Sequence, residues 1–297
     1  FQSDQFYRWN ELHQSRVVGR KLVVQDIVLA RCSSQAIALE LQGWLHRLRR
    51  AAKEDRGRLI TEWNDAAFDR VALEERWKAF KDIASPLAWC CRAYFVTLFA
   101  LIPFVVMHWG LSATWPAWLT VVVGLAALTA GVYRRAHGRL YPAADDDRFT
   151  QSLMILLSPP SAVRALEWLG RPLFETWHPV TLATVFGTTE RTQQLARRTL
   201  KELKWPPPST RPIHSPQAAE AESSYRTLQE KALRRLLRTV DIDPDELTQP
   251  PIPLDDTCRS YCPRCDAQFT TVTGSCHDCG GLRLQPLSPC RDSTRSD

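Results

Sequence analysis

Between Ala93 and Tyr133 the ordinary mixing of apolar and polar positions stops. The run AYFVTLFALIPFVVMHWGLSATWPAWLTVVVGLAALTAGVY holds no Asp, Glu, Lys or Arg, and His108 is its one side chain able to charge near neutrality. A membrane helix needs ~20 mostly apolar residues, so the run is long enough for two and too long for one. Its middle, His108–Pro116, supplies a break: Gly110, Ser112 and Thr114 weaken a helix, and Pro116 suits the first turn of a new one. The pattern predicts two membrane helices, Leu87–His108 and Thr114–Tyr133, joined as a hairpin. Small residues recur along the second of them. Ala126/Ala130 and Ala127/Gly131 are spaced to let helices approach, with Gly124 extending the latter face. Packing within the hairpin is one use of this face; a homo-oligomer built through Gly124, Ala127 and Gly131 is the other.

Before the hairpin, residues 1–86 read as a charged, Trp-bearing helical region. Ser33 or Ser34 can cap a helix with Ile37, Leu41, Trp44/Leu45 and Leu48 on one face. A second stripe runs Ile60, Trp63, Ala67, Val71, Leu73, Trp77, Phe80, with Gly57 as the divider. The run Val17, Val18, Leu22, Val23, Ile27, Val28 fits helix or strand, and helix is expected. After the hairpin, residues 136–204 read as membrane-proximal helices. Asp145–Asp147 could bind a cation, but they precede the apolar run Leu153–Leu157 and suit a helix N-terminus better. Ser158–Ser161 should stop that helix and open another, closed by Gly170. The stretch from Arg171 to Gly187 is broken by Arg171, Glu175 and Pro179, so it should not span; it suits the membrane interface or packing on the hairpin. His178, before Pro179, reads as structural. A Pro-rich linker (205–217) leads to a basic amphipathic helix (218–240), suited to lipid headgroups, a partner groove or packing in its own domain. A second linker (241–256) follows it.

Charge orients the hairpin. Lys78, Lys81 and Arg92 precede or open its first helix, Arg134, Arg135 and Arg139 follow the second, and the connecting turn carries no Lys or Arg. Basic residues stay on the cytoplasmic side, which places both termini there, in a bacterial inner (plasma) membrane. Trp109, Trp115 and Trp118 suit the opposite interface. The formal net charge of +6 over 297 residues is mild for a nucleic-acid binder and suits contact with anionic lipid. A chain that starts at Phe1 and has Met only at 107 and 154 reads as a processed chain or a fragment.

The nine cysteines are unevenly spread: Cys32, Cys90 and Cys91 are scattered, and six lie between 258 and 290. Clustering on the reducing side of a membrane favours metal over disulfides. Cys262-Pro-Arg-Cys265 and Cys276-His-Asp-Cys279 form two CxxC pairs separated by ten residues. Each pair can present two thiolates to one tetrahedral ion. Cys258 and Cys290 belong to neither pair. Phe269, Thr271 and Thr273 alternate like a strand, Gly274 can turn, and Leu282 and Leu284 can return. The segment from Thr257 to Pro286 resembles the zinc-ribbon family. Asp266 stands where a Gly often follows the first pair, and His277 where a Pro is common; neither change removes a ligand. The resemblance implies a small β zinc ribbon with a structural zinc, followed by a disordered tail from 287.

The expected fold is therefore a mainly α membrane protein: a two-helix hairpin, cytoplasmic helical regions and a C-terminal ribbon. No HExxH, GxSxG, GxxxxGK[ST] or GxGxxG is present, so no catalytic constellation is visible. The function expected is a membrane-anchored adaptor or scaffold whose partners are the bilayer and another protein. Two alternatives stand beside it: the anchoring half of an enzyme whose catalytic part lies upstream of residue 1, and a membrane-tethered nucleic-acid binder. The last is disfavoured, because Arg259, Arg264 and Arg283 are offset by Asp255, Asp256, Asp266 and Asp278.

Overall fold

The computed structural model describes residues 14–24, 27–206 and 216–287. The chain divides into two units, Phe1–Trp63 with Val71–Trp177, and Asn64–Arg70 with His178–Asp297. Most of it is helical.

In the first unit, β1 (Arg16–Val18), β2 (Lys21–Val24) and β3 (Ile27–Arg31) form an antiparallel sheet in that order. The helix expected across these residues is not formed. Gly19, at φ +58°, lets Val18 pair directly with Lys21 through a two-residue turn that a side chain would resist. The register shifts between Leu22 and Val23, so three successive apolar residues, Leu22 to Val24, are all buried. That bulge erases the period-two signature of a strand.

Helix α1 (Gln35–Arg50) begins at Ser34, whose hydroxyl accepts from the Ile37 N–H at 3.3 Å. The break before α2 (Arg56–Ala66) falls at Ala51–Asp55, and Gly57 lies inside α2. Helix α3 (Arg70–Val96) continues through a π-turn, Thr97–Leu101, into α4 (Ile102–Trp109). Gly110, at φ +79°, then reverses the chain into α5 (Leu111–Leu140). Both helices outrun their predicted limits. Pro86 lies within α3 rather than before it, and Pro116 is well inside α5 rather than in its first turn. Two helices, Arg70–Trp109 and Thr114–Leu140, are long and apolar enough to cross a membrane.

The hairpin's threonines are satisfied from within, whereas the buried Tyr94 hydroxyl and Trp118 indole N–H have no hydrogen-bond partner among the described residues. Each of its four threonines, 97, 114, 120 and 129, donates to the carbonyl four residues back, at 2.7–2.8 Å. This is how hydroxyls are accommodated where water is absent. His108 Nδ1 lies 3.0 Å from the Phe104 carbonyl. Of the two small pairs, Ala126 and Ala130 are buried; Gly124, Ala127 and Gly131 face outward.

Beyond the hairpin, α6 (Asp145–Leu157), α7 (Pro159–Val163) and α8 (Ala165–Glu175) return onto it. Ile155, Ala162, Ala165 and Leu169 share one buried cluster with Leu87, Cys91, Tyr94, Val122, Ala126, Ala130 and Tyr133. Gly170 does not close its helix. A Cβ there would come within 3.2 Å of the Phe174 ring and 3.4 Å of Phe80, so glycine serves close packing instead. The acidic run proves to be a clamp. Asp147 is buried, accepts from the Gln35 N–H at the start of α1 (2.6 Å), and pairs with Arg20 at 3.0 Å. Asp146 and Gln35 exchange a further pair of bonds, at 2.9 and 3.0 Å. These carboxylates are thereby committed to a helix N-terminus and an arginine rather than to a cation.

The second unit holds α9 (Pro179–Phe186), α10 (Thr189–Lys204), α11 (Pro216–Thr239) and α12 (Pro244–Leu247). Their core joins Phe68, Val180, Ala196, Leu200, Leu233, Leu236, Leu237 and Ile242. The apolar face of the basic helix α11 is thus spent on its own unit, and part of the stretch read as a linker (241–256) is packed. His178 is structural. Its Nδ1 accepts from the Val180 N–H at 3.2 Å, capping α9, and its ring stacks on Phe68 at 4.5 Å. Burial lowers its pKa to about 4, which keeps Nδ1 free to accept.

Candidate metal centre

The C-terminal segment is built from very short strands: β4 (Ser260–Tyr261), β5 (Gln268–Phe269), β6 (Ser275–Cys276), β7 (Leu282–Arg283) and β8 (Gln285–Pro286). One sheet runs β5-β4-β8 and the other β6-β7, all antiparallel. Strand β4 delivers the chain into Cys262, and β6 ends on Cys276. Each CxxC turn then closes with a left-handed residue directly after its second cysteine: Asp266 at φ +61° and Gly280 at φ +70°. The longer strand expected over 269–273 is confined to Gln268–Phe269.

All four cysteines come together. The sulfurs of Cys262, Cys265, Cys276 and Cys279 lie within 4.8 Å of one another, and Cys265 and Cys276 are 3.8 Å apart. A tetrahedron with metal–sulfur bonds near 2.3 Å has edges of ~3.8 Å, so the spacing fits one ion of zinc's size. It is far too long for a disulfide. Cys262, Cys276 and Cys279 are buried and Cys265 is exposed. Cys258 stands outside the cluster, half-buried, and Cys290 lies outside the described residues.

The electrostatics explain why a cation belongs here. Burial pushes the Cys279 thiol up to about 12, helped by the neighbouring thiols. Cys265 is raised as well, again chiefly by burial. Cys262 is lowered: burial acts against its thiolate, but the backbone N–H groups of Cys265 and Arg264 together with the Cys265 and Cys279 thiols outweigh it. Four thiolates cannot share this space alone; a divalent ion at their centre would reverse the balance. The four cysteines could thus hold a metal ion such as zinc.

The sequence reading missed what holds this segment against its unit. Asp266 pairs with Lys201 and, at 3.0 Å, with Arg197, both on α10. The Lys201 side chain is only 3% exposed, and burial lowers its pKa despite the carboxylate. Arg264, inside the first CxxC turn, donates to the carbonyls of Trp205 (2.9 Å) and Pro206 (2.6 Å). The one signal in the sequence was an Asp at a position that favours glycine.

Comparison with known proteins gave no match: no family model, no curated protein sequence and no solved structure is similar to this chain.

Proposed function

We propose that this chain is a membrane-anchored adaptor. In this reading α3–α4 and α5 cross the bilayer as a hairpin with both ends on the cytoplasmic side. A closed zinc ribbon at Cys262, Cys265, Cys276 and Cys279 then presents a surface to a protein partner. Only 17% and 22% of the two apolar windows are buried, which favours lipid over a soluble core as their surroundings. With four thiolates on one ion, no position is left for a water or substrate, so zinc here would be structural. Nucleic acid is disfavoured, since the basic Arg264, Lys201 and Arg197 beside the ribbon are already committed within the unit. The outward row Gly124, Ala127 and Gly131 would be open to a second copy of the hairpin.

The observation that carries the adaptor reading lies beside the ribbon. Ile252 and Leu254 are 85% and 82% exposed, yet the backbone that bears them is pinned. The Gln268 side chain on β5 donates to the Ile252 carbonyl at 2.7 Å and accepts from the Leu254 N–H at 2.8 Å. Large aliphatic side chains held in water on a fixed backbone are typical of contact surfaces. Leu254→Asp should abolish capture of a stoichiometric protein partner from detergent extracts while leaving one zinc per chain. Unchanged capture by Leu254→Asp and by Ile252→Asp would contradict the adaptor reading.

A further inference from the structure

Arg148 and Arg164 bracket a stretch, Phe149 to Val163, with no charged side chain. It is too short to span a bilayer, and a neutral segment of this length is ordinarily a buried core helix or an interfacial or re-entrant one. The structure shows a core helix on one face only: Ile155 and Ala162 are buried, but the other face is not. Phe149, Leu153, Met154, Leu156 and Leu157 are all exposed, Leu157 at 72%.

The position of α6 says what covers them. A short turn joins it to α5, and two contacts fix the direction. A Cβ on Gly138 would meet Arg148 Nη1 at 2.9 Å, and the Tyr133 hydroxyl donates to Gln151 Oε1. Advancing from 148 to 151 on α6 therefore retreats from 138 to 133 on α5, so the helices are antiparallel. Tyr133 is the last residue of the uncharged run and Arg134 the first beyond it. Leu157 lies six residues past Gln151, about 9 Å along the helix toward the middle of α5. The return is also marked. Cys91, at the charged edge of the first span beside Arg92, donates through Sγ to the Ala162 carbonyl at 3.3 Å. At the start of α8 and along it the ion pairs Arg164–Glu167 (3.0 Å) and Arg171–Glu167 (3.3 Å) follow.

We infer that residues 149–163 form a re-entrant wedge that dips into the cytoplasmic leaflet beside α5 and leaves on the same side. Its exposed apolar side chains touch lipid acyl chains, continuous with the outward Val121, Val123 and Leu128 of α5. Ser158, Pro159 and Pro160 form the reversal between α6 and α7 at its deepest part. The arginines at both ends sit at headgroup level. This inference rests on the proposed spanning hairpin, and the test separates the two.

A photoreactive benzophenone amino acid is placed singly at Leu157, Val123 or Ser223 in the full chain. Each protein is reconstituted into phosphatidylcholine–phosphatidylglycerol vesicles, checked for one zinc per chain, irradiated, and analysed for lipid adducts by mass spectrometry. Lipid adducts at Leu157 comparable in yield to those at Val123, and on the order of tenfold above Ser223, are expected. Lipid adducts at Val123 with none at Leu157, or with only protein adducts there, overturn the wedge and leave the hairpin standing. No lipid adduct at Val123 overturns both.

Discussion

Replacing any one of Cys262, Cys265, Cys276 or Cys279 by Ser is expected to unfold the C-terminal segment and release its metal. The physical reason is the poverty of the core. Apart from the cysteines, its buried cluster holds only Leu284 among the described residues, with Phe269 and Leu282 packed alongside, and Tyr261 and Leu287 are the other buried apolar side chains of the segment. About thirty residues cannot cover the entropy of their own ordering with so little apolar surface. Metal binding in comparable closed sites is worth about 10–16 kcal/mol in apparent terms at neutral pH, as much as the whole stability of an ordinary domain. A serine hydroxyl is a poor ligand for a soft site, so losing one thiolate removes a large part of that stabilisation. Cys258→Ser should leave metal content unchanged. The direct readout is metal analysis with X-ray absorption: four sulfurs near ~2.3 Å in the parent chain, and a stoichiometry well below one in each ligand variant. A shell containing nitrogen would bring in His277 and contradict the four-sulfur site.

The second large effect is expected at Asp266, where two physical terms oppose each other. Asp266→Gly relieves a left-handed residue, a gain of roughly 1 kcal/mol. The same change leaves Lys201 buried and unpaired, which for a buried ion pair costs about 3–5 kcal/mol. Asp266 is itself 27% exposed on its side chain, so the low end of that range applies, and a net loss of ~2 kcal/mol is expected. At typical urea sensitivities this lowers the midpoint for metal release to a chelator by about 1 M. Lys201→Met added to Asp266→Gly removes the buried one of the two orphaned charges, fills the same space, and should restore most of the midpoint, the Arg197 side chain being 38% exposed and solvated. A double variant no better than Asp266→Gly would show that the Lys201–Asp266 pair does not hold the segment in place.

How far these features could be read from the sequence depends on the range of the interaction behind them. The apolar hairpin was legible because absence of charge over so long a run is a local property of composition. The four cysteines were legible because two-residue spacing encodes the turn that brings two sulfurs together. The helix N-terminus at Asp145–Asp147 was legible for the same reason, but not its clamp on Gln35 and Arg20, more than a hundred residues away. The strands at 16–31 were misread because the bulge at Leu22/Val23 turned an alternating pattern into a continuous one. Gly170 looked like a helix terminator, and only the rings of Phe80 and Phe174 explain it. The Lys201–Asp266 pair was invisible in one dimension. It places a carboxylate at a glycine-like position in one element against a lysine in a helix that reads as ordinarily basic.

The account's central claim is the topology of the hairpin, on which the cytoplasmic placement of the metal centre depends. The measurement that tests it most directly is labelling of sealed, right-side-out vesicles with an impermeant maleimide. In that topology every native cysteine lies on the inner side or within the membrane, so the parent chain stays unlabelled until the vesicles are opened. Ser112→Cys, exposed at the start of α5 just after Gly110, should be labelled in sealed vesicles, and Ser223→Cys, on α11, only after opening. Labelling of Ser223→Cys in sealed vesicles, with Ser112→Cys protected, would contradict it.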